Sequence, residues 1–172
     1  MHQSTAEPRI RTGLLDRQVA MVTGVNVNGT FTMMQAVARV MRQAGRGRIV
    51  NVSSIAGKGF ARTSNILYAG SKGALIAMTR VAAALLGPHG ITVNAICPGL
   101  NEAEMMKAWL QDRAAQEDAA PADLLGRLGQ DIALRRINTP ADIASAVLFM
   151  VSGWSRNVTG QSLNVDGGMV WD

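Results

Sequence analysis

Residues 47–98 read GRIVNVSSIAGKGFARTSNILYAGSKGALIAMTRVAAALLGPHGITVNAICP. The stretch opens and closes on Ile- and Val-rich runs, Arg48–Ser53 and Ile91–Cys97. Between them, Ile66–Leu86 carries Leu75, Met78, Ala82 and Leu85 at helical spacing, and Gly87, Pro88 and Gly90 end it. A strand, a long helix and a second strand in this order predict two parallel strands joined by a helical crossover. Apolar residues at consecutive strand positions predict a sheet covered on both faces.

The same alternation extends in both directions. Val19–Thr23 is a short apolar strand ending at Gly24, and Thr30–Ala44 places Phe31, Met34, Ala38 and Met41 on one stripe before Gly45 and Gly47 stop it. Ser54–Asn65 reads as a loop. Asn101–Gly129 is polar and Ala-rich, helical in two pieces around Pro121. Thr139 is a good N-cap and Pro140 suits a first turn, so a further helix follows with Ile143, Val147, Met150 and Val151 on its apolar side. Ser162–Val165 is the fourth strand, closed by Gly167-Gly168. The predicted order is β-α-β-α-β-α-β: an α/β fold, an incomplete doubly wound, Rossmann-like parallel sheet of about four strands, with right-handed crossovers and helices on both faces. Residues 1–172 are expected to form a single domain, with 1–15 as a mobile lead-in.

Composition narrows the function classes. The chain has 172 residues, 48% hydrophobic and 17% charged, which fits a globular protein rather than a disordered one. A full dinucleotide domain of six strands at ~35 residues per strand-helix unit takes ~210. The net charge is +5 and the pI about 10.3. The cations are scattered, and their densest cluster, Arg39, Arg42, Arg46 and Arg48, holds no aromatic residue, so it reads as a solvated helix face and not a nucleic-acid surface. Cys97 is the only cysteine, which excludes an internal disulfide and a thiolate metal cluster and favours a reducing compartment. The polar Met1–Arg11 segment has no apolar signal region, and Gly73–Gly87, interrupted by Thr79 and Arg80, is short for a membrane span. A cytoplasmic protein with no membrane or nucleic-acid partner and no metal is expected. His89 falls in a turn, Cys97 reads as an inert core thiol, and the methionines read as core packing.

In a parallel sheet, ligands bind beyond the carboxyl ends of the strands. Gly24 and Asn26 follow the first strand, Ser54 the second, Pro98 and Gly99 the third. The helix after Ser54 carries Tyr68, the only tyrosine, and Lys72 four residues on, hence on the same face. A phenol with its ordinary pKa of ~10 is a poor base at neutral pH, and a neighbouring ammonium favours the phenolate. The pair suits proton exchange with an alcohol or carbonyl oxygen, which a nearby Ser hydroxyl can hold. A half-buried tyrosine at a helix start beside a solvated lysine accounts for the same two residues without chemistry.

Six segments in order resemble the short-chain dehydrogenase/reductase family. Asn26-Val27-Asn28-Gly29-Thr30-Phe31 is similar to its N-x-x-G-x-F helix start, and Gly47–Ser54 to its G-x-I-V-N-x-S-S strand. Tyr68-Ala69-Gly70-Ser71-Lys72 resembles its Y-x-x-S-K, and Gly90–Asn94 with Pro98-Gly99 its G-I-x-V-N-x-x-x-P-G. Thr159-Gly160-Gln161 and Val165-Asp166-Gly167-Gly168 resemble its T-G-Q and V-D-G-G. Residues 54–58 and 164–169 look more like its polyol and diol dehydrogenases. The resemblance implies an oxidoreductase transferring a hydride between NAD or NADP and a small secondary alcohol or carbonyl. It implies that Tyr68 is the general acid/base, and that Lys72 supports it and holds the nicotinamide ribose. Ser54 would orient the substrate oxygen, Asn26 bind a water linked to Lys72, and Pro98 and Gly99 line the nicotinamide pocket. It also implies a homodimer or homotetramer through the helices near 30–44 and 66–86.

Two departures accompany the resemblance. Leu14–Gly24 looks like the family's opening strand, but Asn28 and Thr30 stand where its phosphate-binding glycines would follow. The family's second strand with its acidic ribose-binding residue, its third strand and its N-N-A-G strand end are skipped, so 25–172 corresponds to its catalytic half. Leu100-Asn101-Glu102 replaces the run that contacts the carboxamide, leaving Asn101 beside Gly24 among the expected cofactor-binding residues. The alternative function is therefore a non-catalytic short form, an assembly partner or deletion product. Joined so early to the Asn26 helix, Val19–Thr23 is expected either to stay an opening strand or to slide in beside Arg48–Ser53, with the four strands then in sequential order.

Overall fold

A computed structural model describes residues 19–23, 27–60, 65–102 and 104–171. The expected lead-in and the Gly24–Asn26 turn lie outside the described residues. In chain order the elements are β1 Ala20–Thr23, α1 Val27–Ala44, β2 Gly47–Val52, a 3₁₀ turn Ile55–Lys58, α2 Ile66–Leu86, β3 Ile91–Pro98, α3 Glu104–Glu117, α4 Pro121–Gln130, α5 Pro140–Val151 and β4 Ser162–Val165.

The four strands are parallel and lie in the order β1-β2-β3-β4. Ala20 pairs with Arg48, Gly47 with Ile91 and Ala95 with Ser162. The first strand has taken the place beside β2, and among the described residues it forms one edge of the sheet.

Alternate residues of each strand feed two cores. Met21, Ile49 and Val93 pack with Met34 and Met41 of α1 and Ala83 of α2. Val50 and Ile96, on the opposite face, pack with Met150 and Val151 of α5. The sheet advances in one direction throughout, yet the connection from β3 to β4 runs over the face opposite to the first two. Its hand is therefore opposite to theirs, and the expectation of uniformly right-handed crossovers fails. This is how a sequentially ordered sheet acquires helices on both sides.

Thr139 caps α5 as expected. Its hydroxyl accepts from the Asp142 N–H, and the Asp142 carboxylate accepts from the Thr139 N–H at 2.8 Å. Two helix faces differ from the expectation. In α1, Thr30, Met34 and Met41 are buried, whereas Phe31 is half exposed. In α2, Leu75, Ile76, Thr79 and Ala83 face the core, Met78 and Ala82 flank it, and Leu85 is exposed. The reason is that α2 is apolar nearly all round, so spacing alone does not choose its inner side. A polar bond chooses it: Asn51 Nδ2 in β2 donates to Thr79 Oγ1 at 2.8 Å, with both residues fully buried.

With the turn that follows, α2 spans 24 residues, 18 of which in a row average a hydropathy of 1.2, long and apolar enough by length and composition to cross a membrane. The apolar stretch Gly73–Gly87 leaves out the first two turns of this helix. In the fold, α2 lies against the sheet and α1.

Candidate active site

Beyond the carboxyl end of the sheet, the segment after β2 and the start of α2 are pressed together. Asn65 caps α2, its side chain accepting from the Tyr68 N–H at 2.9 Å, and this fixes where Tyr68 sits in the first turn. Ser71 Oγ donates to the Tyr68 carbonyl at 2.8 Å. One turn on, Lys72 reaches back under the helix, and its Nζ donates to the Val52 carbonyl at the end of β2, 3.1 Å away. The same Nζ lies 5.7 Å from the centre of the Tyr68 ring. Tyr68 is 43% exposed, while Lys72 is partly buried. That burial pushes the Lys72 ammonium below its ordinary value, and the charge interaction with Cys97 acts in the opposite sense.

Ser54 is half-buried and caps the 3₁₀ turn, its Oγ accepting from the Ala56 N–H at 3.2 Å. An acceptor in that bond, the hydroxyl keeps its own proton for donation to a ligand oxygen. Its neighbour Ser53 is buried and donates to the Lys72 carbonyl at 2.7 Å, tying the end of β2 to α2. The turn comes this close because residue 57 is glycine. A Cβ there would fall 2.6 Å from the Lys72 carbonyl carbon and 2.8 Å from the Gly73 nitrogen.

Pro98 ends β3, and the pairing of Val52 with Ile96 sets Pro98 level with Ser54. Gly99 donates its N–H to the Val165 carbonyl at 3.0 Å, and its missing side chain leaves room for Asp166, whose Cβ would be 2.6 Å from an added Cβ. Asp166 holds the C-terminal segment over this end of the sheet, accepting from the N–H groups of Gly168 and Val170 at 2.9 Å each. Asn101 donates to the Gly99 carbonyl at 3.0 Å and accepts from Asn138, so its amide is engaged in shaping the turn. Cys97 is fully buried.

The fold thus brings Ser54, Tyr68, Lys72, Pro98 and Gly99 to one end of the sheet. The expected Gly24 and Asn26 lie outside the described residues. Asn65, Ser53 and Gly57 were not singled out from the sequence. Asn65 was legible as a helix cap; Gly57 and Ser53 act through contacts with α2 that have no local signature.

The donor set fits the reactive half of a dinucleotide: an ammonium and a phenol stand side by side, next to a serine with a free proton, at the strand ends. β1 is the sheet edge among the described residues, so no described strand lies beyond it to carry an adenine pocket.

Comparison with known proteins gives the chain its relatives. The family profile described as Enoyl-(Acyl carrier protein) reductase matches residues 10–170. The chain is 40% identical over 153 residues to the short-chain reductase protein NovJ of Streptomyces niveus, covering 89% of this chain and 56% of that protein. It is 35% identical over 158 residues to a galactitol 2-dehydrogenase of Agrobacterium fabrum, covering 91% of this chain and 61% of that one. A solved 3-oxoacyl-[acyl-carrier protein] reductase from Brucella melitensis with bound NAD superposes with a TM-score of 0.70 at 34% identity, over 86% of this chain and 50% of that one. The chain spans a little over half the length of the curated relatives it matches.

Proposed function

The chain belongs to the short-chain dehydrogenase/reductase family, and from that premise we propose that it carries the catalytic half of an oxidoreductase moving a hydride between NAD or NADP and a secondary alcohol or carbonyl. The observation that carries the reading is the stacking of Lys72 under Tyr68, next to the Ser54 turn. Lys72 and Tyr68 would hold the nicotinamide ribose, with Pro98 and Gly99 beside the ring. The bound nicotinamide supplies the hydride chemistry.

The chain's own residues handle the proton and the orientation. Ser54 donates its free proton to the substrate oxygen and fixes its direction. Tyr68 gives a proton to that oxygen in reduction and takes it in oxidation. Lys72 stabilises negative charge on the phenol oxygen as the proton moves, and its bond to the Val52 carbonyl keeps it there. Asn26 is assigned the water that passes the proton to solvent. The assembly is proposed as a homodimer or homotetramer: Met33 and Val40 of α1, and Val81 and Leu85 of α2, are each at least half exposed at spacings that form outer apolar stripes. A cytoplasmic setting suits its single, buried cysteine.

The test is titration of the purified chain with NADH and NADPH, followed by melting temperature, then turnover of secondary alcohols. A saturable rise in melting temperature is expected. Tyr68→Phe should keep that rise and lose turnover by about 10²- to 10⁴-fold. No rise at millimolar cofactor would mean a non-catalytic short form, and undiminished turnover in Tyr68→Phe would refute the assignment of the proton donor.

A further inference from the structure

At the opposite end of the sheet from Tyr68 and Lys72, a cleft of about 240 Å³ opens between the starts of β2 and β3 and the turn that follows α5. Arg48 and Thr92 line its floor and are direct cross-strand partners, their side chains on the same face of the sheet. Arg156 and Asn157 line the other side, and Gly87 and Gly90 the rim. No carboxylate lines the cleft, and neither arginine forms an ion pair among the described residues.

The polar atoms of the floor are left over by the fold. Arg48 Nη1 donates to its neighbour's carbonyl, Gly47 O, at 2.9 Å, but its Nε is buried without a partner. Thr92 is 9% exposed, and its Oγ1 is likewise buried and unpartnered. A buried donor with nothing to bond costs free energy that a matching acceptor recovers. Two unneutralised guanidiniums on one cavity repel each other and attract an anion. Donors arriving from the sheet and from the facing turn suit a ligand that accepts from several directions, which a tetrahedral oxyanion does and a planar carboxylate does poorly. At ~30 Å³ per water, the cleft has room for such an ion with part of its hydration.

We infer that this cleft is a binding site for a phosphate group, free or as a monoester, held by Arg48, Arg156 and Thr92 and separate from the Tyr68–Lys72 end. The site stands independently of the oxidoreductase reading.

The test titrates the full chain with inorganic phosphate, glycerol phosphate, acetate and chloride at matched ionic strength, by calorimetry and melting temperature. A saturable response to either phosphate is expected. A tighter monoester identifies an organic phosphate as the ligand, and tighter free phosphate identifies the inorganic ion. Arg156→Glu, at an exposed position, should weaken binding by about tenfold or more. Thr92→Val should also weaken it, yet melt no lower than wild type in phosphate-free buffer, because it removes only an unpartnered hydroxyl. Lys72→Met should bind phosphate as wild type does. The inference is overturned if chloride or acetate matches phosphate, if Arg156→Glu retains full affinity, or if Lys72→Met loses it.

Discussion

Gly57→Ala isolates the contact on which the arrangement of the candidate site rests. A Cβ at residue 57 would lie 2.6 Å from the Lys72 carbonyl carbon and 2.8 Å from both the Lys72 oxygen and the Gly73 nitrogen. Those distances are about 1 Å inside ordinary non-bonded contact. All three atoms are helix backbone and cannot rotate away, so the 3₁₀ turn has to lift off α2. Lifting strains the Ser53 to Lys72 bond of 2.7 Å and carries Ser54 away from Tyr68. Overpacking of this kind costs about 1–3 kcal/mol. A displacement near 1 Å costs about 10²-fold in rate wherever the geometry is used for chemistry. The control is Gly70→Ala, in α2 itself, where an added Cβ meets nothing within 4 Å. That change should be neutral or stabilise by up to about 1 kcal/mol. Equilibrium urea unfolding of the three proteins measures the stability part without reference to activity. Equal stability of Gly57→Ala and wild type would refute the argument that close backbone approach fixes the turn.

Three further outcomes are expected. Burial lowers the Lys72 value from 10.5, so the unfolded chain binds its proton more tightly and wild-type stability should rise as pH climbs toward 10.5. Lys72→Met lacks that contribution, and parallel pH-stability profiles for the two proteins would contradict it. Asp142 is held well below the usual carboxylate range, first by the Arg136 guanidinium and then by the Thr139 N–H. Its stabilisation is present above the ordinary value of 3.8 and lost as pH falls below it. Asp142→Asn should cost about 1 kcal/mol at neutral pH, mostly the helix cap because the ion pair is partly exposed, and the gap to wild type should close in acid; a constant gap would show that the charge is not involved. Val81→Glu places a charge on the outer stripe of α2 and should convert a dimer or tetramer to monomer by light scattering, with the circular dichroism spectrum unchanged.

How much of this was legible beforehand depended on whether the signal was local. Thr139-Pro140 with Asp142 three residues after the cap announced the start of α5, because a cap is decided within four residues. Ile91–Cys97 read as a buried strand because all its positions but Thr92 and Asn94 are apolar, and the whole of β3 is buried. Tyr68 and Lys72 followed from a four-residue offset. The inner face of α2 was not legible, since a helix rich in Ala and Leu presents several equivalent stripes and the choice fell to Thr79 meeting Asn51 across the fold. The opposite hand of the last crossover had no sequence signature. Gly57 was visible as a residue but not as a contact, because its partner backbone is fifteen residues away.

The sequential order of the strands also orders their assembly. Ala20 meets Arg48, but Ala95 must wait for Ser162, a loop more than twice as long. Each doubling of a closing loop adds about 0.6 kcal/mol of chain entropy to the search. As the chain emerges, β1, β2 and β3 can dock in turn with Ser54, Tyr68 and Lys72 already in their segment. The Gly99 turn stays unpinned until Val165 and Asn138 arrive with β4. The proton-handling side of the site would then form early in folding, and the wall beside it last.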